Sequence, residues 1–346
     1  MASADVSPEE AETTPRLGRK VLWGISLGIL TVAGLLAVAD VRKVGGALES
    51  FDWTILPLVL GLSVLGYLIR AVRWTLYMTR LDARLSFLEN THIFLAGLVM
   101  AITPGKVGEV LKSGLLRVSH GIPVARTAPA VLAERLVDLV ALVLIASLGG
   151  VRYAHGFGVL FVGLLMVTAV LLPAVWPAAG RTVISALSRL PMLSKRAESL
   201  EHAREALATL VGLRVLLVTT ALSLLAWSCE GVGTWLVIGA FEGCHAELSD
   251  AAFVFSFSTV AGAVSMLPGG LVATEGSMTA LLHGVFGLAA DRNAAVGITL
   301  VVRFCTLWLG VAIGGLGLVT YMRRTARGAH RRDEGGQVPD GAPTGA

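Results

Sequence analysis

The chain has 346 residues, of which 55% are hydrophobic and only 15% are charged, and its mean hydropathy is +0.75. Soluble domains carry about 25% charged residues, and the apolar residues here fall in blocks long enough to cross a bilayer, so a soluble globular protein is excluded. The formal net charge of +4 does not indicate nucleic-acid binding, because the basic residues flank the apolar blocks instead of forming one patch.

The first residues form a polar segment. Residues 1–20 are rich in Glu, Pro, Ser and Thr, so we expect a disordered cytoplasmic tail. Basic residues then precede the apolar run 21–39, which we interpret as an uncleaved first span. The Ala-Val-Ala ending of this run also resembles a signal-peptide cleavage site. Cleavage there would leave the rest of the topology unchanged.

Further apolar blocks are long enough to cross the bilayer. They run over residues 53–78, 129–149, 157–176, 213–241 and 294–321. With the first run they predict an all-α polytopic bundle of about six full spans in a membrane domain at 21–322. The charge-rich segment 178–212 is predicted to be a cytoplasmic connector, and residues 323–346 a disordered basic tail.

Two shorter apolar stretches, 87–103 and 251–267, each end at a Pro-Gly pair. The predicted tips are Pro104 with Gly105, and Pro268 with Gly269 and Gly270. The helix-like pieces that follow, 109–118 and 275–286, are too short to cross about 30 Å of hydrocarbon at 1.5 Å per residue. Because Pro removes a helical hydrogen bond and Gly permits a sharp reversal, we predict two re-entrant hairpins.

The distribution of basic residues predicts the orientation. With a cytoplasmic N-terminus, most of the 28 Lys and Arg residues lie on the cytoplasmic side, as the positive-inside rule requires. They fall in the segments 16–20, 70–84, 106–126, 181–214 and 323–332. This scheme makes both termini cytoplasmic. It also makes the first hairpin enter from the cytoplasm and the second from the outside.

The two hairpins match in sequence when Glu109 is aligned with Glu275 without gaps. Further matches are Gly121 with Gly287 and Arg126 with Arg292, and each unit ends in a span with an arginine, Arg135 or Arg303. We therefore predict an inverted repeat, with units at about 53–149 and 213–321. Secondary transporters use this architecture and bind substrate near the midplane, between the repeats.

Ionisable residues deep in spans cost about 2.5–3.5 kcal/mol each on insertion scales, so they usually face a cavity or a charged partner. The candidate substrate-binding residues are Lys106, Glu109, Glu134, Arg135, Asp138, Glu230, Glu275 and Arg303. Glu134 and Asp138 share a helix face, and Arg135 can pair with Asp138. This group is either a self-neutralising structural cluster or a cavity lining. For Glu230 and Arg303, a structural ion pair across helices and a substrate contact are both open.

The hairpin tips offer a second candidate feature. The helix after each Pro-Gly begins near mid-membrane, where its free N–H groups and positive dipole end suit a phosphate. Lys106 adds charge at the first tip, and simple turn chemistry is the alternative.

Arg70 and Arg73, beside Trp74, are interpreted as interfacial anchors, with contact to a phospholipid headgroup as the alternative. No Cys or His spacing is typical of a metal site, and we expect neither metal nor cofactor.

Two motifs carry a family resemblance. They are Thr103-Pro104-Gly105-Lys106-Val107-Gly108-Glu109 followed by Ala133-Glu134-Arg135-Leu136-Val137-Asp138, and Leu267-Pro268-Gly269-Gly270-Leu271-Val272-Ala273-Thr274-Glu275 followed by Arg303. Here the chain resembles the lysylphosphatidylglycerol synthase transmembrane-region family, also called flippase-like, over about residues 21–321. The resemblance implies an inner-membrane protein that moves or helps to present lipids, such as aminoacylated phospholipids or polyprenyl-linked molecules.

The chain departs from the family pattern in two places. The full synthases carry a soluble C-terminal aminoacyl-transfer domain, and none precedes Ala346, so we expect no lipid lysylation by this chain alone. The second motif has Val272, Ala273 and Thr274 where family members often carry Gly, a branched residue and Arg. The missing arginine leaves headgroup specificity open.

The leading prediction is a lipid flippase that moves an anionic phospholipid or a polyprenyl-linked lipid. One alternative is a membrane-embedded enzyme that transfers a glycosyl or headgroup unit, although the sequence lacks the acidic or histidine metal motif that such enzymes usually need. Another is an accessory scaffold for a partner enzyme of envelope biosynthesis. The sequence leaves the oligomeric state open.

Overall fold

The computed structural model describes residues 41–83, 85–103, 109–150 and 207–335, with scattered positions between 161 and 205. Within these residues the secondary structure is helical, with no strand. The predicted N-terminal tail and first span, the tip residues Pro104, Gly105 and Lys106, and most of the 157–176 block and of the connector lie outside the described residues.

The described helices are numbered here in chain order. They are α1 Val41–Glu49, α2 Leu56–Arg80, α3 Phe87–Gly97, α4 Leu111–His120, α5 Val124–Gly150, α6 Leu213–Gly239, α7 Leu248–Val264, α8 Ala273–Thr279, α9 Arg292–Arg303 and α10 Leu309–Gly335. Short 3₁₀ turns cover Trp53–Ile55, Leu98–Ile102 and Pro268–Gly270, and π-helical turns cover Ala280–Val285 and Phe304–Trp308.

Three described segments are long and apolar enough to cross a membrane: Trp53–Arg80, Leu213–Gly239 and Arg292–Arg323. They coincide with the predicted blocks at 53–78, 213–241 and 294–321. Large apolar side chains on their outer faces, such as Leu65 and Leu217, are exposed, whereas charged side chains are buried inside. This distribution is that of a helical membrane protein, as predicted.

Local sequence explains several helix ends. Ser86 and Glu89 form a reciprocal capping box at the start of α3, with the Ser86 N–H 3.0 Å from Glu89 Oε2 and the Glu89 N–H 3.3 Å from Ser86 Oγ. Asp291 caps α9 by accepting the Ala294 N–H at 2.7 Å, which holds the pKa of Asp291 below its ordinary value. Gly121, with φ of +67°, ends α4 in the left-handed conformation.

The second Pro-Gly segment is a helical hairpin. Helix α7 ends at Val264, the chain reverses at Pro268–Gly270, and α8 packs back against α7. Gly269 and Gly270 have φ near +63° and +65°, which glycine adopts without strain. Gly262 lies against the Thr274 hydroxyl so closely that a Cβ there would clash. The small residues therefore let the two arms approach.

The end of the first apolar arm meets the second Pro-Gly segment. Helices α3 and α4 pack together, and the 3₁₀ turn Leu98–Ile102 that continues α3 contacts Pro268–Gly270. Ile102, Leu271 and Leu307 form a small apolar cluster at this junction.

Most of the remaining core falls into two large apolar clusters, and Val44 and Val296 form a small third one. One lies around the first hairpin and includes Trp74, Tyr77 and Ile93. The other lies mostly in the second half and includes Ile238 and Val254. Helices α2 and α5 contribute to both clusters. On α5, Glu134, Arg135 and Asp138 lie between or beside the residues that join one cluster and those that join the other.

The last helix extends further than the sequence predicts. Helix α10 continues to Gly335, whereas we predicted a disordered tail from residue 323. Five of the residues 323–335 are Arg and two are Ala, which favour helix.

Candidate functional site

A cavity of about 420 Å³ is bordered by residues of both hairpin regions and of α2, α5, α6 and α9. Its charged lining residues are Arg70, Arg73, Glu109, Lys112, Arg135, Asp138, Glu230 and Arg303. Most of the remaining lining is apolar and includes Leu132, Val264 and Leu267, which are also exposed. The cavity therefore combines a charged interior with apolar side chains that reach the protein surface.

Asp138 joins three helices through its carboxylate. Its Oδ1 accepts hydrogen bonds from Arg73 Nη1 at 2.6 Å, from Ser223 Oγ at 3.0 Å and from Trp227 Nε1 at 3.0 Å. Arg73 comes from α2, Asp138 from α5, and the other two from α6. Because each donor is buried, this carboxylate is both paired and hydrogen-bonded, which is what a buried charge requires.

Glu134 lies one helical turn before Asp138 and has no exposed surface. Its Oε2 accepts a hydrogen bond from Lys112 Nζ, and its Oε1 lies 3.6 Å from Arg73 Nη2. The Lys112 ammonium also lies 4.5 Å from the centre of the Trp74 ring, a cation–π contact. Gly97 makes room for the Lys112 stem, since a Cβ at that position would clash with it.

Arg135 lies on the cavity side of the same helix. Its Nη2 donates to Glu109 Oε2 at 2.6 Å and lies 3.8 Å from Asp138 Oδ2. The Arg135 side chain is 32% exposed, whereas that of Glu109 is 6% exposed. Glu109 is therefore the main partner of Arg135, and the predicted pair with Asp138 is the longer of the two contacts that Arg135 makes.

The second half repeats this arrangement with one pair. Arg303 Nε donates to Glu275 Oε1 at 2.5 Å, and Arg303 Nη2 donates to the backbone carbonyl of Gly269 at 2.8 Å. In each half, the glutamate that follows the Pro-Gly is bonded to an arginine of the next long helix. Arg303 additionally ties that helix to the hairpin tip.

Arg70 and Glu230 form a further pair between α2 and α6. Arg70 Nη2 lies 3.7 Å from Glu230 Oε1, and Glu230 Oε2 accepts a hydrogen bond from Ser63 Oγ at 2.8 Å. The Arg70 guanidinium carbon lies 4.0 Å from the centre of the Trp227 ring and 5.7 Å from that of Tyr67. Trp227 thus contacts both this pair and, through its N–H, Asp138.

Most of the predicted site residues come together in the structure. Glu109, Arg135, Asp138, Glu230 and Arg303 line the cavity. Glu134 and Glu275 are ion-pair partners of lining residues. Lys106 lies outside the described residues. Glu230 and Arg303 each have an ion pair across helices, as one of the two predictions had it, and both also line the cavity.

The interpretation of Arg70 and Arg73 as interfacial anchors is wrong. The Arg73 side chain is 1% exposed, and Arg70 packs against Trp227 in the cavity wall. Lys112, which we counted among the basic residues of the cytoplasmic side, is 2% exposed and bonded to Glu134. Trp227 was not predicted as a site residue at all.

A signal for the two arginines exists in the sequence. Along α2, the polar and aromatic residues Ser63, Tyr67, Arg70, Arg73, Trp74 and Tyr77 recur at helical spacing. A stripe of this kind on an otherwise apolar helix indicates a face turned toward protein. We had considered only the position of the arginines near the end of the span.

The site's charges are balanced within the described residues. The cations Arg70, Arg73, Lys112, Arg135 and Arg303 are matched one for one by the carboxylates Glu230, Asp138, Glu134, Glu109 and Glu275. In that part of the chain, no group of His, Cys, Asp and Glu side chains is placed to hold a metal ion. The arrangement is suited to binding a charged group by exchange of ion-pair partners.

Comparison with known proteins identifies the family. The lysylphosphatidylglycerol synthase TM region family matches residues 24–314. A UPF0104 membrane protein of Methanothermobacter thermautotrophicus is 26% identical over 330 residues, which cover 86% of this chain and 92% of that protein. A UPF0104 membrane protein of Pyrococcus horikoshii is 22% identical over 321 residues, 84% of this chain and 94% of that protein. The chain belongs to the lysylphosphatidylglycerol synthase transmembrane-region family.

Proposed function

We propose that this protein is a flippase of the cell membrane that moves an anionic phospholipid or a polyprenyl-linked lipid between leaflets. The headgroup passes through the charged cavity while the acyl chains stay in the surrounding lipid. The observation that carries this proposal is the cavity itself, in which paired charges lie beside exposed apolar residues such as Leu132 and Val264.

The ion pairs suit the passage of a headgroup. An isolated charge near the bilayer centre costs about 2.5–3.5 kcal/mol on insertion scales. A phosphate that enters the cavity takes an arginine such as Arg135 as its partner, so its own charge is not left uncompensated. Because the arginines already have carboxylate partners, they do not bind the anion so tightly that it cannot leave.

The proposed path is formed by two re-entrant hairpins that enter from opposite sides of the membrane. After the second tip, the chain has seven α-helical and six π-helical residues before Phe286. At 1.5 Å per residue this segment is about 20 Å long, shorter than the roughly 30 Å of hydrocarbon. The proposed topology has about six spans and cytoplasmic termini.

Two contacts support an inverted repeat between the halves. The turn Leu98–Ile102, at the end of the first apolar arm, packs on the second tip, Pro268–Gly270. Each half also pairs its glutamate with the following arginine, Glu109 with Arg135 and Glu275 with Arg303. Transporters with inverted repeats bind substrate at such a junction.

A reconstitution experiment tests the proposal. Purified protein is placed in liposomes with fluorescent phosphatidylglycerol, phosphatidylcholine or a polyprenyl phosphate, and lipid reaching the outer leaflet is quenched by a membrane-impermeant reductant. We expect the protein to accelerate exchange of an anionic lipid. The variant Arg135→Gln should slow this exchange at least tenfold, whereas Arg80→Gln, at an exposed position of α2, should not. Exchange no faster than in protein-free liposomes for every lipid contradicts the proposal.

A further inference from the structure

Arg70 differs from the other cations that line the cavity. Arg73, Lys112, Arg135 and Arg303 each donate at least one hydrogen bond to a carboxylate. Among the described residues, Arg70 donates none, and its Nε and Nη2 are buried without a hydrogen-bond partner. It is therefore the cavity cation with the most donor capacity left for a ligand, since a guanidinium carries five N–H donors.

Arg70 is held in place by contacts that leave these donors unused. The guanidinium carbon lies 4.0 Å from the centre of the Trp227 ring, which is itself fixed by its N–H bond to Asp138 at 3.0 Å. A cation–π contact uses the positive charge and not a particular N–H group. The side chain is thus positioned beside the cavity while its Nε and Nη2 stay without a hydrogen-bond partner.

Glu230 is a loose counter-ion for Arg70. The 3.7 Å between Arg70 Nη2 and Glu230 Oε1 is too long for a hydrogen bond. The second carboxylate oxygen is already bonded to Ser63 at 2.8 Å, so Glu230 keeps a partner when Arg70 turns to another anion. Glu230 and an incoming anion would repel each other and would compete for the same guanidinium.

We propose that Arg70 binds the phosphate group of the substrate, and that the phosphate replaces Glu230 as its partner. This inference rests on the proposed function and names the group that recognises the headgroup. A guanidinium binds phosphate through two parallel N–H···O bonds, which an ammonium cannot match. Trp227 supplies the platform, and Glu230 lowers the affinity so that the lipid is released.

The test compares two substitutions at the same pair. Binding of short-chain phosphatidylglycerol to the purified full-length protein in detergent is measured by calorimetry, with phosphatidylcholine of the same chain length and inorganic phosphate as further ligands. We expect Arg70→Gln to weaken binding of phosphatidylglycerol at least tenfold. We expect Glu230→Gln to tighten it about threefold or more, because the competing carboxylate is removed and the amide keeps the Ser63 contact.

The opposite signs separate a binding role from a structural one. If the pair only holds α2 to α6, both substitutions weaken binding or neither changes it, and either result overturns the proposal. Arg70→Lys should recover only part of the affinity, and Arg80→Gln is the matched control for loss of an arginine from α2. Should Arg70→Gln fail to elute as a monodisperse species, Arg70→Lys and Glu230→Gln decide the question.

The comparison of ligands identifies the source of the phosphate. Inorganic phosphate that binds as tightly as phosphatidylglycerol would overturn a lipid substrate in favour of a soluble anion. Binding that depends on Arg70 without lipid exchange in liposomes contradicts the proposed function but not this inference. If Arg70→Gln changes neither lipid exchange nor lipid affinity, the inference is overturned and the proposed function is unaffected.

Discussion

The two halves of the molecule use their charged residues in different ways. In the first half, Arg73, Glu109, Lys112, Glu134, Arg135 and Asp138 form one connected network. In the described part of the second half, Arg303 pairs with Glu275 outside that network, and it donates a second hydrogen bond to the backbone of the hairpin tip. Each half has one Glu–Arg pair at the corresponding position, Glu109 with Arg135 and Glu275 with Arg303.

This difference indicates that the charged residues have different structural roles in the two halves. In the first half, side chains from α2, α4 and α5 are joined through charges, so the network holds the helices that form one wall of the cavity. In the second half, the helices are held by apolar packing, and the single pair fixes the position of the tip. The first half should therefore be more sensitive to loss of a charge, and the second to a change in tip geometry.

The largest effect is expected for Lys112→Met. Methionine keeps an apolar stem against Gly97 but removes the cation that is hydrogen-bonded to Glu134, which has no exposed surface. Breaking one side of a buried ion pair costs about 3–5 kcal/mol. Stability can be measured in detergent by heating with a thiol-reactive dye, since Cys229, Cys244 and Cys305 are buried and free.

The double variant Lys112→Met with Glu134→Gln is the control for this prediction. It removes both charges of the pair, so it should lose less stability than the sum of the two single variants. If Lys112→Met unfolds at the same temperature as the wild type, the network does not hold the first half together.

An intermediate effect is expected for Arg303→Lys. Arg303 donates from two different nitrogens, to Glu275 and to the Gly269 carbonyl, and a single ammonium cannot reach both in this geometry. We expect a loss of about 1.5–3 kcal/mol, the range for a hydrogen bond to a charged group. The matched variant is Arg135→Lys. Arg135 is partly exposed, and its guanidinium makes one short hydrogen bond, to Glu109. This variant should lose less stability than Arg303→Lys, because a lysine keeps the charge and can keep one contact with Glu109.

The same dye assay measures both variants. Equal losses of stability at Arg303 and Arg135 would show that the two pairs are equivalent, and the distinction between the halves would fail.

Sequence reasoning located the long helices and the charged residues because both leave strong local signals. A block of about 20 apolar residues has few alternatives to a span, and a charge inside such a block requires a partner. The Glu134–Asp138 spacing likewise placed both carboxylates on the face that Arg73 contacts.

The choice of partners could not be predicted in the same way. Glu134 is bonded to Lys112, which is 22 positions earlier, and Asp138 to Trp227, which is 89 positions later. These contacts depend on how the helices pack, which the periodicity of one helix does not specify. Arg70 and Arg73 were misinterpreted because a position near the end of a span suits an anchor and a buried ion pair equally well.

The smallest expected effect is a gain of stability at the second tip. Val272 has φ of +72° and ψ of −54°, a strained conformation for a β-branched residue, at the position where family members often carry glycine. The side chain is 53% exposed, so Val272→Gly loses little packing and should stabilise the protein by about 1 kcal/mol. Val264→Gly is the matched control, since Val264 is 57% exposed but helical, and glycine is less favourable than valine in a helix by about 0.3–0.5 kcal/mol. The two substitutions should therefore shift the unfolding temperature in opposite directions. A loss of stability in both variants would mean that the tip does not carry strain at Val272, and that its geometry is set by Gly269, Gly270 and the Arg303 contact alone.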